Sequence, residues 1–529
     1  MNGAQALIRT LVDAGVDVCF ANPGTSEMHF VAALDSVPEM RGVLALFEGV
    51  ATGAADGYAR MTDRPAAVLL HLGPGLANGL ANLHNARRAA TPVLAVVGDH
   101  ATYHKHLDAP LESDIDALAG TVSGWVRRTA RTEDVATDAL EAVAAASGPP
   151  GRVATLMLPA DVSWGEGAQP APATGRRAPS APAVSGEPVS DDAVSDDAVA
   201  AAAKALTSGA RSVLLIGGDA TRERGLRAAA RIAAATGATP LCETFPTRLE
   251  RGAGLPVIGR LGYLAEMATY QLGEAKHLVL AGARAPVTFF GYPGKPSELT
   301  PQGCEVHELA GHSGATAALE ALADLVAPDT AAPVAEPRRP ERPTGELTAE
   351  TAAAAIGALM PEHAVVVDES NTSGMFLNAA TEGAPRHDWL TLTGGAIGYG
   401  LPAATGAAIA VPDRPVLCLQ ADGSAMYTIS ALWTHTRENL DITTVIYNNS
   451  AYAILRLELQ KVGVEAAAGP KAAALLDLSA PTIDFVALAT GMGVPARRAE
   501  TADELVAALE WALSEPGPHL IDTIVAPLL

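Results

Sequence analysis

Two polar segments in the carboxyl-terminal third of the chain could bind a divalent cation. Asp422 follows one apolar run, and Asn449 follows another 27 positions later. Carboxylate and amide oxygens are ligands that Mg²⁺ prefers, and the backbone carbonyl of Ala451 could supply a third oxygen. Gly423 permits close backbone approach, and Ser424 begins a segment whose helix amino terminus could accept a diphosphate. The spacing favours a metal and diphosphate site, with a capping aspartate at an ordinary turn as the alternative.

Glu48 is a second carboxylate whose position favours chemistry. It follows the apolar run 43–47, which predicts a strand, and precedes the helix-like segment 49–60. Burying a carboxylate at the end of a strand is costly unless a polar group pairs with it. A carboxylate that interacts only with the helix macrodipole is the alternative.

These segments resemble the thiamin-diphosphate motif, a G-D-G followed at a fixed distance by N-N, with Ala421 in place of the first glycine. The resemblance covers nearly the whole chain and points to the 2-oxo acid decarboxylase and acetolactate synthase large-subunit branch of that family. It implies that Asp422, Asn449 and the Ala451 carbonyl bind Mg²⁺. It also implies that Glu48 activates the aminopyrimidine of thiamin diphosphate.

Other segments match the same family in order. The glycine-rich segment 394–398 resembles the turn that bends the cofactor, with the Gly395 carbonyl receiving its exocyclic amine and Ile397 between its rings. The segment 368–373 resembles the diphosphate loop, although a helix N-cap explains it nearly as well. Besides Glu48, the resemblance implies these cofactor-binding residues: Asn371, Thr372, Gly395, Ile397, Gly423, Ser424 and Tyr452.

Residues near the amino terminus match positions that face the substrate in this family. His71 resembles the proton-handling histidine of benzoylformate decarboxylases, and Thr25 lies where those enzymes have a serine. The segment 286–293 lacks their second histidine, and Gly49 stands where acetohydroxyacid synthases have glutamine after the catalytic glutamate. His100 belongs to a histidine cluster without a familiar metal-binding spacing. We expect the cluster to form a loop near the mouth of the pocket, and His100 to be a weaker substrate contact than His71.

The segment 452–458 resembles the helix that borders the substrate side chain in this family. Leu455 and Glu458 are therefore expected in the substrate pocket. A buried carboxylate at position 458 would favour a polar or cationic substrate and disfavour a phenyl group. The alternative is that Glu458 faces solvent, where Arg456 or Lys461 screens it.

The elements that must position these residues alternate between short apolar runs and alanine-rich helical segments, which predicts an α/β fold with parallel sheets. Proline- and alanine-rich stretches at about 165–189 and 329–344 are typical of linkers. They predict three doubly wound units: a pyrimidine-binding domain (1–165), a central domain (190–326) and a diphosphate-binding domain (346–529). The predicted strands are 16–20, 43–47, 67–71, 93–97, 212–216, 240–242, 277–281, 364–367, 416–420, 443–447 and 519–524.

Composition excludes several classes of function. The 529 residues carry 36 basic and 59 acidic side chains, a net charge of −23 that disfavours nucleic acid and anionic lipid as partners. Four widely spaced cysteines fit a reducing compartment, and no export signal opens the sequence. The uncharged stretch 390–411 contains Pro402 and five glycines, so a membrane span is disfavoured. We expect a cytoplasmic protein.

The resemblance therefore implies an enzyme that uses thiamin diphosphate and Mg²⁺ on a 2-oxo acid, by non-oxidative decarboxylation, carboligation with an aldehyde or ketone, or both. Because Glu48 and Asp422 act across a subunit boundary in this family, it also implies a homodimer at least, and a homotetramer by analogy. One alternative is a catalytically silent regulatory paralogue. Another is a flavin-dependent oxidase of the pyruvate-oxidase type, for which the glycine pair at 217–218 is weak support, so FAD is disfavoured.

Overall fold

The protein folds around three β-sheets whose strands are almost all parallel, as seen in a computed structural model that describes residues 1–171, 194–462 and 469–527. In the first sheet, adjacent residues of a strand point to opposite faces, so that Cys19 and Phe20 contribute to different apolar clusters. Both faces are thus covered by helices, which explains why these strands appear in the sequence as continuous apolar runs. The predicted doubly wound α/β class is confirmed.

The first sheet has six parallel strands in the order β2-β1-β3-β4-β6-β5. They are β1 Val18–Ala21, β2 Arg41–Leu44, β3 Ala66–Leu70, β4 Val93–Asp99, β5 Trp125–Arg128 and β6 Val153–Pro159. The helices around it are α1 Gly3–Asp13, α2 Met28–Leu34, α3 Glu48–Thr62, α4 Leu72–Arg88, α5 Ile115–Gly120, α6 Val135–Ser147 and α7 Ala160–Trp164.

The second sheet is built from the middle of the chain and has five parallel strands in the order β10-β8-β7-β11-β12. The strands of this region are β7 Ser212–Ile216, β8 Thr239–Cys242, β9 Leu249–Arg251, β10 Gly259–Arg260, β11 His277–Ala281 and β12 Glu305–Ala310. Its helices are α8 Asp196–Leu206, α9 Glu223–Thr236, α10 Ala265–Leu272 and α11 Ala315–Val326. Strand β9 lies in this part of the chain but pairs with a strand of the third sheet.

The third sheet has seven strands in the order β17-β18-β16-β15-β13-β14-β9, with β9 antiparallel to β14 at one edge. Its remaining strands are β13 Val365–Glu369, β14 His387–Thr391, β15 Val416–Ala421, β16 Ile442–Asn448, β17 Ala496–Ala499 and β18 His519–Ile524. Its helices are α12 Ala349–Leu359, α13 Leu377–Ala380, α14 Gly400–Ala410, α15 Asp422–Ala425, α16 Ala431–Arg437, α17 Ala453–Lys461, α18 Pro470–Ala474, α19 Phe485–Gly491 and α20 Ala502–Ser514.

Helices α3 and α14 pack the first and third sheets together with their backbones in contact. A Cβ atom on Gly57 would lie 2.2 Å from the Ala403 carbonyl oxygen, and one on Gly406 would lie 1.8 Å from that of Ala54. Larger residues would therefore separate the helices. This packing fixes the start of α3 relative to the turn that precedes α14.

Three of the expected strands have the observed bounds, and the others differ from them. Predicted strands 212–216, 277–281 and 519–524 match the observed bounds, whereas 43–47 runs three residues past the end of β2 because Phe47 is already the N-cap of α3. The linker 329–344 has no helix or strand, yet Ala335 N–H donates to Leu255 at 2.8 Å. From residue 172 onward, the linker 165–189 lies outside the described residues.

The described helices are too short or too polar for a membrane span. Within the described ranges, none of the helices combines the length and apolar character needed to span a bilayer.

Candidate active site

Asp422 lies where β15 ends and α15 begins, at the carboxyl edge of the third sheet. The side chain is buried, and its Oδ1 accepts the Gly423 N–H at 2.7 Å. Its Oδ2 accepts the N–H groups of Asn449 (3.0 Å) and Ser450 (2.7 Å). Burial raises the pKa of Asp422, and these backbone hydrogen bonds oppose the rise. The carboxylate thereby joins the two segments that the sequence predicts to bind the metal.

The turn after β16 provides the other oxygen atoms of this corner. Asn449 Oδ1 accepts the Ala451 N–H at 3.0 Å, and Ser450 has the left-handed backbone conformation, with φ of 52°. Carboxylate, amide and backbone carbonyl oxygens from Asp422, Asn449 and Ala451 form a hard donor set. These residues therefore fit a small dication, since Asp422 Oδ1 and Asn449 Oδ1 each accept one of these hydrogen bonds and keep a second lone pair.

The predicted diphosphate residues come together beside this corner. Asn371, with φ of 52°, donates from Nδ2 to Ser424 Oγ at 3.0 Å, and Thr372 follows it in a short 3₁₀ helix. A Cβ atom at Gly423 would lie 2.4 Å from the Tyr452 ring, so the close packing of this ring requires glycine. Polar groups and a tightly packed backbone fit a diphosphate bound through the dication.

Glu369 is a site residue that the sequence analysis did not identify. It is fully buried at the end of β13, and its Oε1 accepts the Gly398 N–H at 2.7 Å. Its Oε2 accepts the Gly400 N–H at 2.7 Å and Gln420 Nε2 at 2.9 Å. Burial raises the pKa of Glu369 to about 7, although these hydrogen bonds oppose the rise. The carboxylate fixes the turn 394–398, where Gly395 and Gly398 both have positive φ.

The available signal for Glu369 was similar to that for Glu48: a glutamate close to the end of an apolar run, here separated from the run 364–367 by Asp368. Burying such a carboxylate requires compensating donors. Those donors are mainly backbone N–H groups about 30 residues away, and backbone groups leave no mark in the sequence.

Glu48 begins α3 and is buried, with 8% of its surface exposed. Asn78 of α4 donates from Nδ2 to Glu48 Oε2 at 3.0 Å. A Cβ atom at Gly75 would lie 3.4 Å from Glu48 Oε1, so this stretch of α4 lies against the carboxylate. The structure thus gives Glu48 a neutral amide partner.

Helix α4 also contacts the 394–398 turn through side chains that the sequence analysis missed. Asn82 Nδ2 donates to the carbonyl oxygens of Gly49 (2.8 Å) and Gly398 (3.3 Å). Asn85 Nδ2 donates to the Ala396 carbonyl at 2.8 Å, and His84 Nε2 lies 3.1 Å from the Gly394 oxygen. Asparagine is a poor helix former, so the three asparagines of α4 (Asn78, Asn82 and Asn85) were the available signal.

His71 precedes α4, and its Nδ1 lies 2.8 Å from Glu27 Oε2. Glu27 is buried, and its Oε2 also accepts the Gly24 N–H at 2.9 Å. Burial raises the pKa of Glu27, and His71 opposes the rise. Leu72 has φ of 52°, an uncommon conformation for leucine that marks strain beside His71. The sequence motifs did not identify Glu27 as a site residue, although it lies two positions after the candidate Thr25. Thr25 itself is exposed.

His100 lies at the same edge of the first sheet as His71. Strands β3 and β4 pair with Leu70 opposite Val97, so His71 and His100 both follow the carboxyl ends of adjacent strands. The His100 ring is 5.5 Å from that of His104. Its Nε2 is buried without a hydrogen-bond partner among the described residues.

Glu458 lines a cavity of about 290 Å³ between the middle region and α17. Tyr292 OH donates to Glu458 Oε2, and Lys461 Nζ donates to Oε1 at 3.1 Å. Burial, followed by the hydrogen bond to Glu458, raises the pKa of Tyr292. Glu458 thus lines a cavity and is paired with Lys461, one of the two residues expected to screen it if it faced solvent. Leu455, by contrast, is 44% exposed and does not line this cavity.

Ile397 is the remaining cofactor-binding candidate. It is partly buried and packs against the large apolar cluster that includes α3 and α14. Its placement between the rings of the cofactor stays a prediction.

Comparisons with known proteins agree with this arrangement. The model of the thiamine pyrophosphate enzyme N-terminal TPP binding domain matches residues 1–119, and that of the C-terminal TPP binding domain matches residues 372–523. A Mycobacterium tuberculosis protein provisionally named acetolactate synthase large subunit IlvX is 67% identical over 529 residues, covering 100% of both chains. Benzoylformate decarboxylase of Pseudomonas aeruginosa is 31% identical, covering 96% of each chain.

A solved structure gives the same result for the fold. The thiamine diphosphate-dependent 4-hydroxybenzoylformate decarboxylase of Rhodococcus jostii RHA1 has a TM-score of 0.84 at 25% identity, covering 99% of each chain. The resemblance drawn from the sequence motifs is confirmed, and thiamin diphosphate is the cofactor of this fold. The chain therefore belongs to the thiamine pyrophosphate enzyme family, as a thiamin-diphosphate-dependent enzyme of the acetolactate synthase and benzoylformate decarboxylase type.

Proposed function

We propose that the protein releases CO₂ from a 2-oxo acid with Mg²⁺ as a second cofactor, and that the product is an aldehyde or, with an acceptor carbonyl, a 2-hydroxy ketone. The observation that carries the proposal is the environment of Glu48. Among the described residues its side chain bonds to Asn78 and forms no ion pair, so its charge has no cationic side chain as a partner. A catalytically silent relative would have no chemical need for this buried carboxylate.

The residues of the third sheet would hold the cofactor at its charged end. Asp422, Asn449 and the Ala451 carbonyl would bind Mg²⁺, and Ser424 with the loop at 371–372 would bind the diphosphate. Thiamin diphosphate bound there would supply a thiazolium carbon that becomes a nucleophile once it has lost its proton, and a cationic ring that serves as electron sink for the pair left by CO₂. Glu48 would hold a proton at the pyrimidine nitrogen, and the Gly395 carbonyl would accept a hydrogen bond from its amine.

His71 would move a proton at the substrate, with Glu27 as its positioning partner. Because Glu27 lies against Nδ1, the other ring nitrogen, Nε2, remains for the reacting molecule. Thr25, whose side chain is exposed at the start of a 3₁₀ helix, would contact the substrate carboxylate. His100 is a further candidate contact at the same sheet edge.

The ion pair between Glu458 and Lys461 affects which charge the substrate side chain can carry. A lone buried carboxylate would favour a cationic substrate, but here Lys461 compensates the charge and aromatic side chains of Tyr263 and Phe289 line the same cavity. We therefore expect this pocket to accept an uncharged, aromatic side chain. Comparing turnover of benzoylformate, pyruvate and a guanidino-bearing 2-oxo acid tests this, and preference for the guanidino acid would contradict it.

Replacing Glu48 by glutamine tests the reaction itself. The change Glu48→Gln keeps the shape and the Asn78 contact but removes the acid, so we expect cofactor binding to persist while CO₂ release falls by at least about 100-fold. The control is Asp63→Asn at the other end of α3, where an exposed carboxylate pairs with Arg222. Full turnover by Glu48→Gln would refute the assignment. Absence of CO₂ release by the wild-type holoenzyme from a panel of 2-oxo acids, with and without an acceptor aldehyde, would favour the silent paralogue.

We also infer a homodimer at least, and a homotetramer by analogy with the family, in the cytoplasm. Apolar side chains of Met375, Met426 and Tyr427 are exposed beside the diphosphate and metal corner, where a second chain would cover them. All four cysteines are free, as expected in a reducing compartment. Light scattering of the holoenzyme tests the assembly, and a monomer that turns over substrate would contradict it.

A further inference from the structure

Two histidines and a glutamate lie together at the edge of the second sheet. Strands β11 and β12 are parallel neighbours, with His277 opposite Glu305 and Val279 opposite His307. Since alternate residues of a strand share a face, the three side chains project from one side of the sheet. Both histidines are partly buried, and Glu305 is exposed. Regular strands rather than loops therefore position the group.

The distances between their polar atoms match those between metal ligands. His277 Nδ1 is 3.2 Å from His307 Nε2 and 3.5 Å from Glu305 Oε2, and the third side of the triangle, from His307 Nε2 to Glu305 Oε2, is 3.8 Å. Metal bonds of about 2.0–2.2 Å in tetrahedral zinc sites place neighbouring ligand atoms about 3.3–3.6 Å apart. The triangle is thus close to one face of a zinc coordination tetrahedron.

The chemical types of the three side chains also suit a metal. A neutral imidazole offers the lone pair that a metal requires. Imidazole with one carboxylate suits zinc and related transition metals, whereas Mg²⁺ prefers oxygen ligands alone.

We propose that His277, Glu305 and His307 form a binding site for a divalent transition metal of the zinc class, with a fourth position left to water. The site lies at the amino ends of β11 and β12. The cavity that contains Glu458 is lined in part by residues 288–290 and 292, which follow the carboxyl end of β11. The metal would cross-link the edge strand β12 to the sheet and would take no part in the thiamin chemistry.

Calorimetric titration with Zn²⁺ tests the proposal on the holoenzyme, saturated with thiamin diphosphate and Mg²⁺ so that the cofactor corner is filled. We expect one zinc ion per chain in the wild type, an apparent Kd raised at least about tenfold in His277→Gln and in His307→Gln, and a zinc-dependent rise in Tm that both variants lose. X-ray absorption should show two imidazole ligands.

The matched control is His363→Gln. His363 is an exposed histidine whose Nε2 lies 3.7 Å from Glu362 Oε1. Among the described residues, no second histidine joins this pair as a possible metal ligand. Zinc binding should be unchanged in this variant. The proposal is overturned if the wild type binds no zinc, if His277→Gln and His307→Gln bind it as tightly as the wild type, or if His363→Gln weakens binding equally.

Discussion

Replacing Glu369 by glutamine isolates the carboxylate that holds the cofactor-bending turn. In Glu369→Gln one acceptor oxygen becomes an NH₂ group that must face an N–H donor. The rotamer that costs least places this group toward Gly398 and keeps the bonds from Gly400 and Gln420, because the opposite rotamer would lose two bonds instead of one. The variant therefore leaves the Gly398 N–H without an acceptor in a fully buried place.

The size of the effect follows from that one lost bond. A hydrogen bond to a charged group contributes about 1.5–3 kcal/mol. If all of this free energy is needed to hold the 394–398 turn ready for thiamin diphosphate, the Kd for the cofactor rises about 10- to 150-fold. Residues outside this turn keep their contacts, so the KM for the 2-oxo acid should change little.

The assay is titration of the apoprotein with thiamin diphosphate at fixed Mg²⁺, followed by fluorescence quenching, across pH 6–9. Below a pH of about 7 the wild-type Glu369 carboxyl gains a proton and loses one acceptor, as glutamine does. The ratio of variant to wild-type Kd should therefore be largest above this pH and shrink below it. Glu362→Gln, which changes an exposed carboxylate of the same unit, is the control. A wild-type Kd at pH 8, or a ratio that does not vary with pH, would refute this role of Glu369.

Two other substitutions test the packing around the site. In Gly24→Ala the new Cβ would lie 2.2 Å from the His71 ring, so we expect kcat to fall while the cofactor Kd stays constant; unchanged kcat would show that the ring position is unimportant. In Arg60→Leu the buried Asp56 loses its bidentate partner, and we expect a loss of about 3–5 kcal/mol in urea denaturation. Adding Asp56→Asn should restore part of that loss, and no restoration would show that packing against Tyr399, 4.6 Å away, dominates.

The sequence predicted most of the buried strands because strands covered on both faces are continuously apolar. The prediction missed two interior strands, β6 and β14, and the edge strands β5, β9, β10, β12 and β17. The polar residues of an edge strand find partners only in the folded chain. Strand β5 contains Arg127 and Arg128, and Arg127 pairs with Asp138 at 2.8 Å. Strand β9 has three residues, two of them charged, and forms only because β14 lies beside it.

The same distinction applies to the site. Asp422 and Asn449 could be paired from the sequence because both end parallel strands, whose carboxyl ends share one edge of a sheet. Glu27 and Glu369 were missed because their partners, His71 and the Gly398 amide, lie 44 and 29 positions away and carry no spacing rule. Hydrogen bonds to backbone amides are invisible until the fold brings them together.

The strand β9 shows that the middle of the chain cannot be separated from its carboxyl-terminal part without damage. A fragment beginning at residue 346 would lack β9, and β14 would present a free edge of unpaired N–H and C=O groups. Arg248 and Arg251 would be missing as well, which now bind Asp388 at 2.5 Å and stack on Trp389 at 5.1 Å. Such an edge recruits strands from other molecules. The pairing of β9 therefore covers an edge of β14 that would otherwise be open to strands of other molecules.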